Sequence, residues 1–275
     1  MHRFFVPPEL VKSESSAFIS LPKELAHQVR DVLRLVVGEQ LMLLDNTGDE
    51  VLAKVASSSR VGVEVQLLER RAGKSESSLR IILCQGLLKS ARFEWILEKG
   101  TELGVAAFAP ILYRRSVAGL EDAGPSKLQR WRRIIQEATE QCGRSRLPEL
   151  LPIRPLIHAL NAIPPGAIAL MPWEEEQGQS LQEVLRRNVG ALASYTFGNA
   201  ATASRSSERE EVFIAPKTDA PITVFLFIGP EGGLMTEEVK VAQRYSVQPV
   251  TLGPRILRAE TAALTAIANV LYELE

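Results

Sequence analysis

Residues 222–238 read ITVFLFIGPEGGLMTEE, and this stretch decides the fold class. Ile222 to Ile228 is apolar except for Thr223, the composition of a strand buried on both faces. Gly229-Pro230-Glu231-Gly232-Gly233 then breaks the run, and Thr236 is expected to cap a helix whose first turn carries Glu237 and Glu238 at the positive end of its dipole. A buried strand that turns through glycines into a helix is one half of a βαβ unit.

The same rhythm extends to both sides. Leu79–Cys84, Ala107–Leu112, Ala167–Met171 and Pro249–Leu252 are strand candidates, and helices are expected over Lys89–Leu103, Ser126–Cys142, Ser180–Arg187 and Ala259–Leu274. The spacing of Leu128, Trp131, Ile135, Ala138 and Cys142 gives the second helix one apolar stripe. In the last helix Leu264, Ile267, Ala268 and Leu271 are expected on one face, with Ala263 and Ala266 allowing close approach. From Leu79 onward the chain is therefore an α/β domain with a mostly parallel sheet covered on both faces. Residues 189–220, rich in Ala, Ser and Thr, interrupt the rhythm and read as a surface excursion.

Before Leu79 the texture differs. Short strands are expected at Arg3–Val6, Phe18–Leu21, Gln40–Leu44, Val51–Val55 and Val61–Leu68, with one helix from Leu21 to Leu35. Asp45-Asn46-Thr47-Gly48-Asp49 is hairpin chemistry. Several short strands with one helix suggest a small barrel. The polar run RRAGKSESS at 70–78 marks the boundary, giving domains 1–74 and 75–275.

The 275 residues suit one large domain or two ordinary ones, and 45% hydrophobic content excludes global disorder. No apolar run approaches the ~20 residues of a membrane span, and the N-terminus lacks a signal-peptide core, so a cytoplasmic protein is expected. Cys84 and Cys142 read as free, buried thiols, and with His2, His27 and His158 scattered no metal site is expected. The net charge of −1 gives no overall attraction to polyanions, but residues 113–146 hold eight basic side chains against four acids, a weak hint of a phosphate-facing surface.

Two loops are placed for chemistry, because ligands of open α/β sheets sit at the carboxyl ends of strands. In the first, Ile228-Gly229-Pro230-Glu231-Gly232-Gly233, the glycines let a ligand approach the backbone; the competing reading is a tight turn. It is neither a P-loop nor a dinucleotide turn. The second, Leu252-Gly253-Pro254-Arg255-Ile256-Leu257-Arg258-Ala259-Glu260, sets two aliphatic residues among two arginines and a glutamate. Ile256 and Leu257 fit an adenine-sized slot or a core anchor.

IGPEGGLMTEEV and LGPRILRAETAAL together, with HRFFV, QVRDVLRLVVGEQL, LLKSARFEWILEKGTELGV and EATEQCGR, resemble the RsmE family of SPOUT methyltransferases, and the resemblance runs over nearly the whole chain. It implies a trefoil-knotted α/β catalytic domain behind a PUA-like RNA-binding barrel, a homodimer, and methylation of uridine N3 in 16S ribosomal RNA of the assembled small subunit. S-adenosyl-L-methionine is the implied cofactor, held by Ile228, Gly229, Pro230, Glu231, Gly232, Gly233, Leu252, Gly253, Ile256, Leu257 and Arg258, with Met171 a weaker candidate wall.

Uracil N3 is a poor nucleophile while protonated. Arg258 is the candidate to stabilise the imide anion, and Glu231, Glu260 or water the candidate to take the proton. Arg3, Arg30, Arg34, Lys89, Arg114 and Arg144 are candidate RNA contacts. A knotted methyltransferase with another RNA target and a non-catalytic ribosome-assembly factor are the rival readings.

Overall fold

The computed structural model describes residues 1–12, 17–116, 124–188 and 221–275; the excursion at 189–220 lies outside them. The chain forms two compact units, Met1–Glu76 with Leu128–Pro148, and Ser77–Lys127 with Glu149–Glu275.

The first unit contains β1 (His2–Phe5), β2 (Phe18–Ser20), β3 (Gln40–Leu44), β4 (Asp49–Ser58) and β5 (Val63–Ala72), paired in the order β1-β3-β4-β5-β2. β1 runs parallel to β3 and the other pairs are antiparallel. The β3–β4 hairpin turns where expected. Asn46 and Gly48 take positive φ (64° and 101°), and the Asp45 carboxylate accepts from the N–H and hydroxyl of Thr47. Alternating apolar residues such as Val51, Ala53, Val55, Val63, Val65 and Leu67 form the core under this sheet.

The expected helix from Leu21 to Leu35 is a correction. α1 is only Lys23–His27, and it passes into a π-helical turn, Gln28–Val32. The Leu35 N–H reaches back to the Val29 carbonyl, and Arg34 takes φ 56°, which ends the helix. β-Branched Val32, Val36 and Val37 give a continuing helix little support. Residues 128–148 complete this unit: the Glu140 carboxylate accepts the Phe5 N–H (3.2 Å), and Asn46 Oδ1 accepts the Leu147 N–H (2.7 Å).

The second unit is built on β6 (Arg80–Gly86), β7 (Ala107–Leu112), β8 (Glu149–Leu150), β9 (Arg154–Pro155), β10 (Ile168–Pro172), β11 (Thr223–Ile228) and β12 (Gln248–Val250). The order is β12-β10-β11-β6-β7-β8, with β9 also on β7, and every pairing is parallel. The helices that follow are α2 (Ser90–Glu102), α3 (Pro125–Cys142, which from Leu128 on belongs to the first unit), α4 (Leu156–Leu160), α5 (181–188), α6 (Thr236–Arg244) and α7 (Ala259–Leu274). α4 and the two-residue strands β8 and β9 are too short to leave a periodic signal in the sequence. All seven parallel strands aim their carboxyl ends at one side, and the two glycine-containing loops follow β11 and β12.

Three details differ from the sequence reading. α6 begins after Met235 rather than Thr236: the Glu238 carboxylate, only 7% exposed, takes the Met235 N–H (2.9 Å) on one oxygen and the Arg114 N–H (2.8 Å) on the other. α7 buries Ala263, Ala266, Ile267 and Val270, a true three-and-four spacing; Leu264 and Leu271 are half-buried and Ala268 is exposed. Two small residues in that stripe let α7 lie against α2, β6 and β11. Of the cysteines, Cys84 is buried but Cys142 only half-buried. No described helix is long and apolar enough to cross a membrane.

Candidate active site

At the carboxyl edge of the parallel sheet three connections converge on a cleft of about 300 Å³. Ile228 to Leu234 forms one wall, Thr251 to Ala259 with Ala262 another, and Pro172, Trp173 and Glu174 the third. The strand order explains the convergence. β10 lies between β11 and β12, so the residue runs that leave these three strands emerge side by side although they are far apart in sequence.

The glycine-rich loop is shaped by close approach. A Cβ on Gly86, at the end of β6, would lie 2.6 Å from the Pro230 nitrogen and 2.8 Å from the Gly229 carbonyl carbon. Only a bare backbone at position 86 lets the loop rest there. Gly233 needs its freedom for a second reason: its φ is 73°, and a Cβ would meet Glu174 Oε1 at 2.6 Å. The Gly233 N–H closes the turn on the Pro230 carbonyl (3.0 Å), and the Arg115 guanidinium donates to the Gly232 carbonyl (3.2 Å).

Every residue expected to bind the cofactor, from Ile228 to Gly233 and then Leu252, Gly253, Ile256, Leu257 and Arg258, lines this cleft, with the exception of Met171. Met171 is fully buried in the sheet core. The next residues, Pro172 to Glu174, form the wall instead. Ile256 is 85% exposed beside the cleft, an unusual place for a large aliphatic side chain. Arg258 sits at the N-cap of α7, exposed and lining the cleft.

The two candidate proton acceptors share a partner that the sequence reading missed. Glu231 Oε1 lies 3.1 Å from Arg92 Nη1 and accepts the Lys89 N–H at 3.4 Å; Glu260 Oε1 lies 3.6 Å from Arg92 Nε. Glu231 lines the cleft. Glu260 does not, and its Oε2 is buried with no hydrogen-bond partner among the described residues. Arg92 had one legible signal: it stands in the first turn of α2, where a cation opposes the helix dipole. In the core of the second unit, burial pushes the Cys84 thiol and the Tyr113 phenol upward, so both stay protonated.

The expected RNA contacts divide. Arg3 is spent on Glu50 inside the first unit, and Arg144, 5% exposed, pairs with Glu76 at 2.9 Å. Both act as internal braces rather than exposed phosphate ligands. Arg30 is tied to Asp31 and to the Ser59 carbonyl. Arg34, Lys89 and Arg114 are exposed.

A family model described as an RNA methyltransferase domain matches residues 75–271. The chain belongs to this RNA methyltransferase family. Its whole length aligns with the ribosomal RNA small subunit methyltransferase E of Bacillus subtilis, at 29% identity over 98% of that protein. It aligns equally with the protein of that name from Synechocystis, at 31% identity over 78% of that chain. Among solved structures, the ribosomal RNA small subunit methyltransferase E of Neisseria gonorrhoeae bound to S-adenosyl methionine is similar over 99% of this chain and 97% of its own, with a TM-score of 0.77 at 28% identity. A putative methyltransferase from Legionella pneumophila, also with bound S-adenosyl methionine, gives 0.74 at 27% identity, with 99% and 97% covered. The match covers the sheet, both glycine loops and α7 as far as residue 271, so the cleft lies wholly inside the matched region.

Proposed function

We propose that this chain transfers the methyl group of S-adenosyl-L-methionine to N3 of a uridine in 16S ribosomal RNA of the assembled small subunit. The observation that carries the reading is the cleft built by three strand ends and two glycine loops in a chain whose full-length relatives are named ribosomal RNA small subunit methyltransferase E. The cleft's chemistry fits the cofactor. Its volume lies at the lower end of the ~300–1,000 Å³ of small-molecule sites. Ile256, Leu257 and Leu252 offer apolar faces to a purine, and the Glu174 and Glu231 carboxylates suit a ligand with positive charge.

When bound, the cofactor supplies an activated methyl on a positive sulfur. The chain's residues hold, orient and compensate charge. Arg258, exposed on the cleft wall, is assigned to the uracil oxygens, where it offsets the negative charge that appears when N3 loses its proton. Glu231, the cleft-lining member of the two expected carboxylates, is the assigned acceptor, with solvent as the route onward. Glu260 is assigned to holding the start of α7. Arg30, Arg34, Lys89 and Arg114 are assigned to phosphate contacts that position the RNA without reading its sequence.

Residues 1–74 are assigned as a PUA-like RNA-binding barrel and 75–275 as the methyltransferase domain. The order β12-β10-β11-β6-β7 supports the trefoil-knotted SPOUT path. A homodimer is supported by large side chains left in solvent on the second unit: Tyr272 (86% exposed), Ile256 and Trp95.

The test is transfer from labelled S-adenosyl-L-methionine to small subunits that lack the modification, followed by nucleoside analysis. Label in 3-methyluridine is expected. Label in another nucleoside or another RNA would move the target while keeping the chemistry. No label and no cofactor binding would leave an assembly factor.

A further inference from the structure

We infer that Arg92 is the positioning residue of the cofactor cleft, a single cation that sets the spacing of its two loops. The inference rests on the proposal that the cleft binds S-adenosyl-L-methionine. Arg92 belongs to neither loop. It stands in the first turn of α2, after β6, and reaches a carboxylate on each loop: Glu231 in the turn after β11, and Glu260 where the turn after β12 becomes α7. Three connections of the parallel sheet thus meet on one guanidinium.

The geometry gives the cation a role beyond surface pairing. Isolated exposed ion pairs contribute little because water screens them and side chains must be fixed. Here the carboxylates are the less exposed partners, at 21% and 16%, against 42% for Arg92. Both present an Oε1 to the same group. Without the guanidinium, two carboxylates that shared one cation are left unneutralised in a half-desolvated site, and Glu260 already keeps one buried oxygen without a hydrogen-bond partner among the described residues. The relief open to them is separation, which parts the two walls of the cleft. α2 places a cation where its own dipole disfavours one, so the arrangement works against helix stability and in favour of the loops. The Lys89 N–H on the same Glu231 oxygen fixes which way that carboxylate faces.

The roles of loop spacing and general stability separate in the variants Arg92→Ala, Arg92→Lys and Arg92→Ala with Glu260→Gln, Glu260 being the carboxylate that does not line the cleft. Each would be titrated calorimetrically with S-adenosyl-L-methionine and with S-adenosylhomocysteine, and its unliganded thermal midpoint recorded. Arg92→Ala is expected to bind both ligands about tenfold or more weakly, with a midpoint near that of the parent. Arg92→Lys restores most of the affinity, and the double variant binds more tightly than Arg92→Ala because one of the repelling charges is gone. Parental affinity in Arg92→Ala overturns the inference. So does a double variant no better than Arg92→Ala, or a loss of affinity matched by a collapse of the midpoint in all three. If the parent protein binds neither ligand, the proposed function fails and this inference falls with it.

Discussion

Arg258 and Gly86 mark two kinds of dependence at the level of single residues. Arg258 is an exposed cation on the cleft wall, with no part in holding a loop in place by any contact described above. Its replacement by Ala is expected to lower kcat about 100-fold or more, the range of a lost charge-stabilising donor, while S-adenosyl-L-methionine affinity stays within about threefold. Single-turnover methyl transfer beside calorimetry checks this, and equal losses in both would reassign Arg258 to binding. Gly86 does nothing chemical. Gly86→Ala drives a methyl group into the Gly229–Pro230 backbone, which has no flexible end to swing aside. The expected cost is about 1–3 kcal/mol of stability, with cofactor affinity lost as well because the displaced segment is a cleft wall. Urea unfolding and ligand titration of the same sample would measure both.

Among the elements, α3 illustrates how burial works on a carboxyl group. Desolvation raises the pKa of Glu140, opposed by hydrogen bonds from the Gln136 side chain and the Phe5 N–H. Its folded pKa is above the ordinary 4.5, so the folded state holds the proton more tightly than the unfolded one. The stability Glu140 gives is complete below pH 4.5 and declines as pH rises through the folded value. Glu140→Gln can still accept the Phe5 N–H and carries no charge. It should be the more stable protein at pH 7, with the advantage vanishing below pH 4.5, as read from denaturation midpoints across that range.

The elements also show what a sequence discloses. Strands buried on both faces, β6, β7, β10 and β11, were legible as apolar runs, and α2, α3 and α7 as periodic segments of 13–18 residues. The 21–35 helix was misjudged because its apolar spacing continues past the point where Arg34 turns left-handed. The stripe on α7 was misplaced by favouring larger leucines over the alanines that fit beneath them. In the site, the two loops were legible because glycines and proline cluster after strands. Trp173 and Glu174 were not, since they follow another strand and join the cleft only through the order β12-β10-β11, and Arg92, on α2, reaches it only by way of Glu231. Arg3 and Arg144 looked like RNA contacts because sequence does not reveal that Glu50 and Glu76 are waiting for them.

For the molecule as a whole, the first unit is discontinuous: residues 128–148 come from within the stretch that the methyltransferase model covers, yet they are compact with Met1–Glu76. A fragment spanning 75–275 would keep this segment and lose the Phe5, Asn46 and Gly48 groups that meet it. Such a fragment is expected to show a lower thermal midpoint than the full chain and faster hydrogen exchange over 128–148, with the sheet strands protected as before. Unchanged exchange in that segment would mean it holds its fold alone, and the cut at 74/75 would be a clean domain boundary.

The contact of Gly86 with Pro230 has a historical consequence. Position 86 cannot acquire any side chain until the loop has moved, and the loop cannot move without dismantling a wall of the cleft. Neither change is tolerable first, so drift along this path is closed in both directions. Lineages descending from this sequence should diverge freely on the exposed face of α3, while this pair changes together or only after the activity itself has been given up.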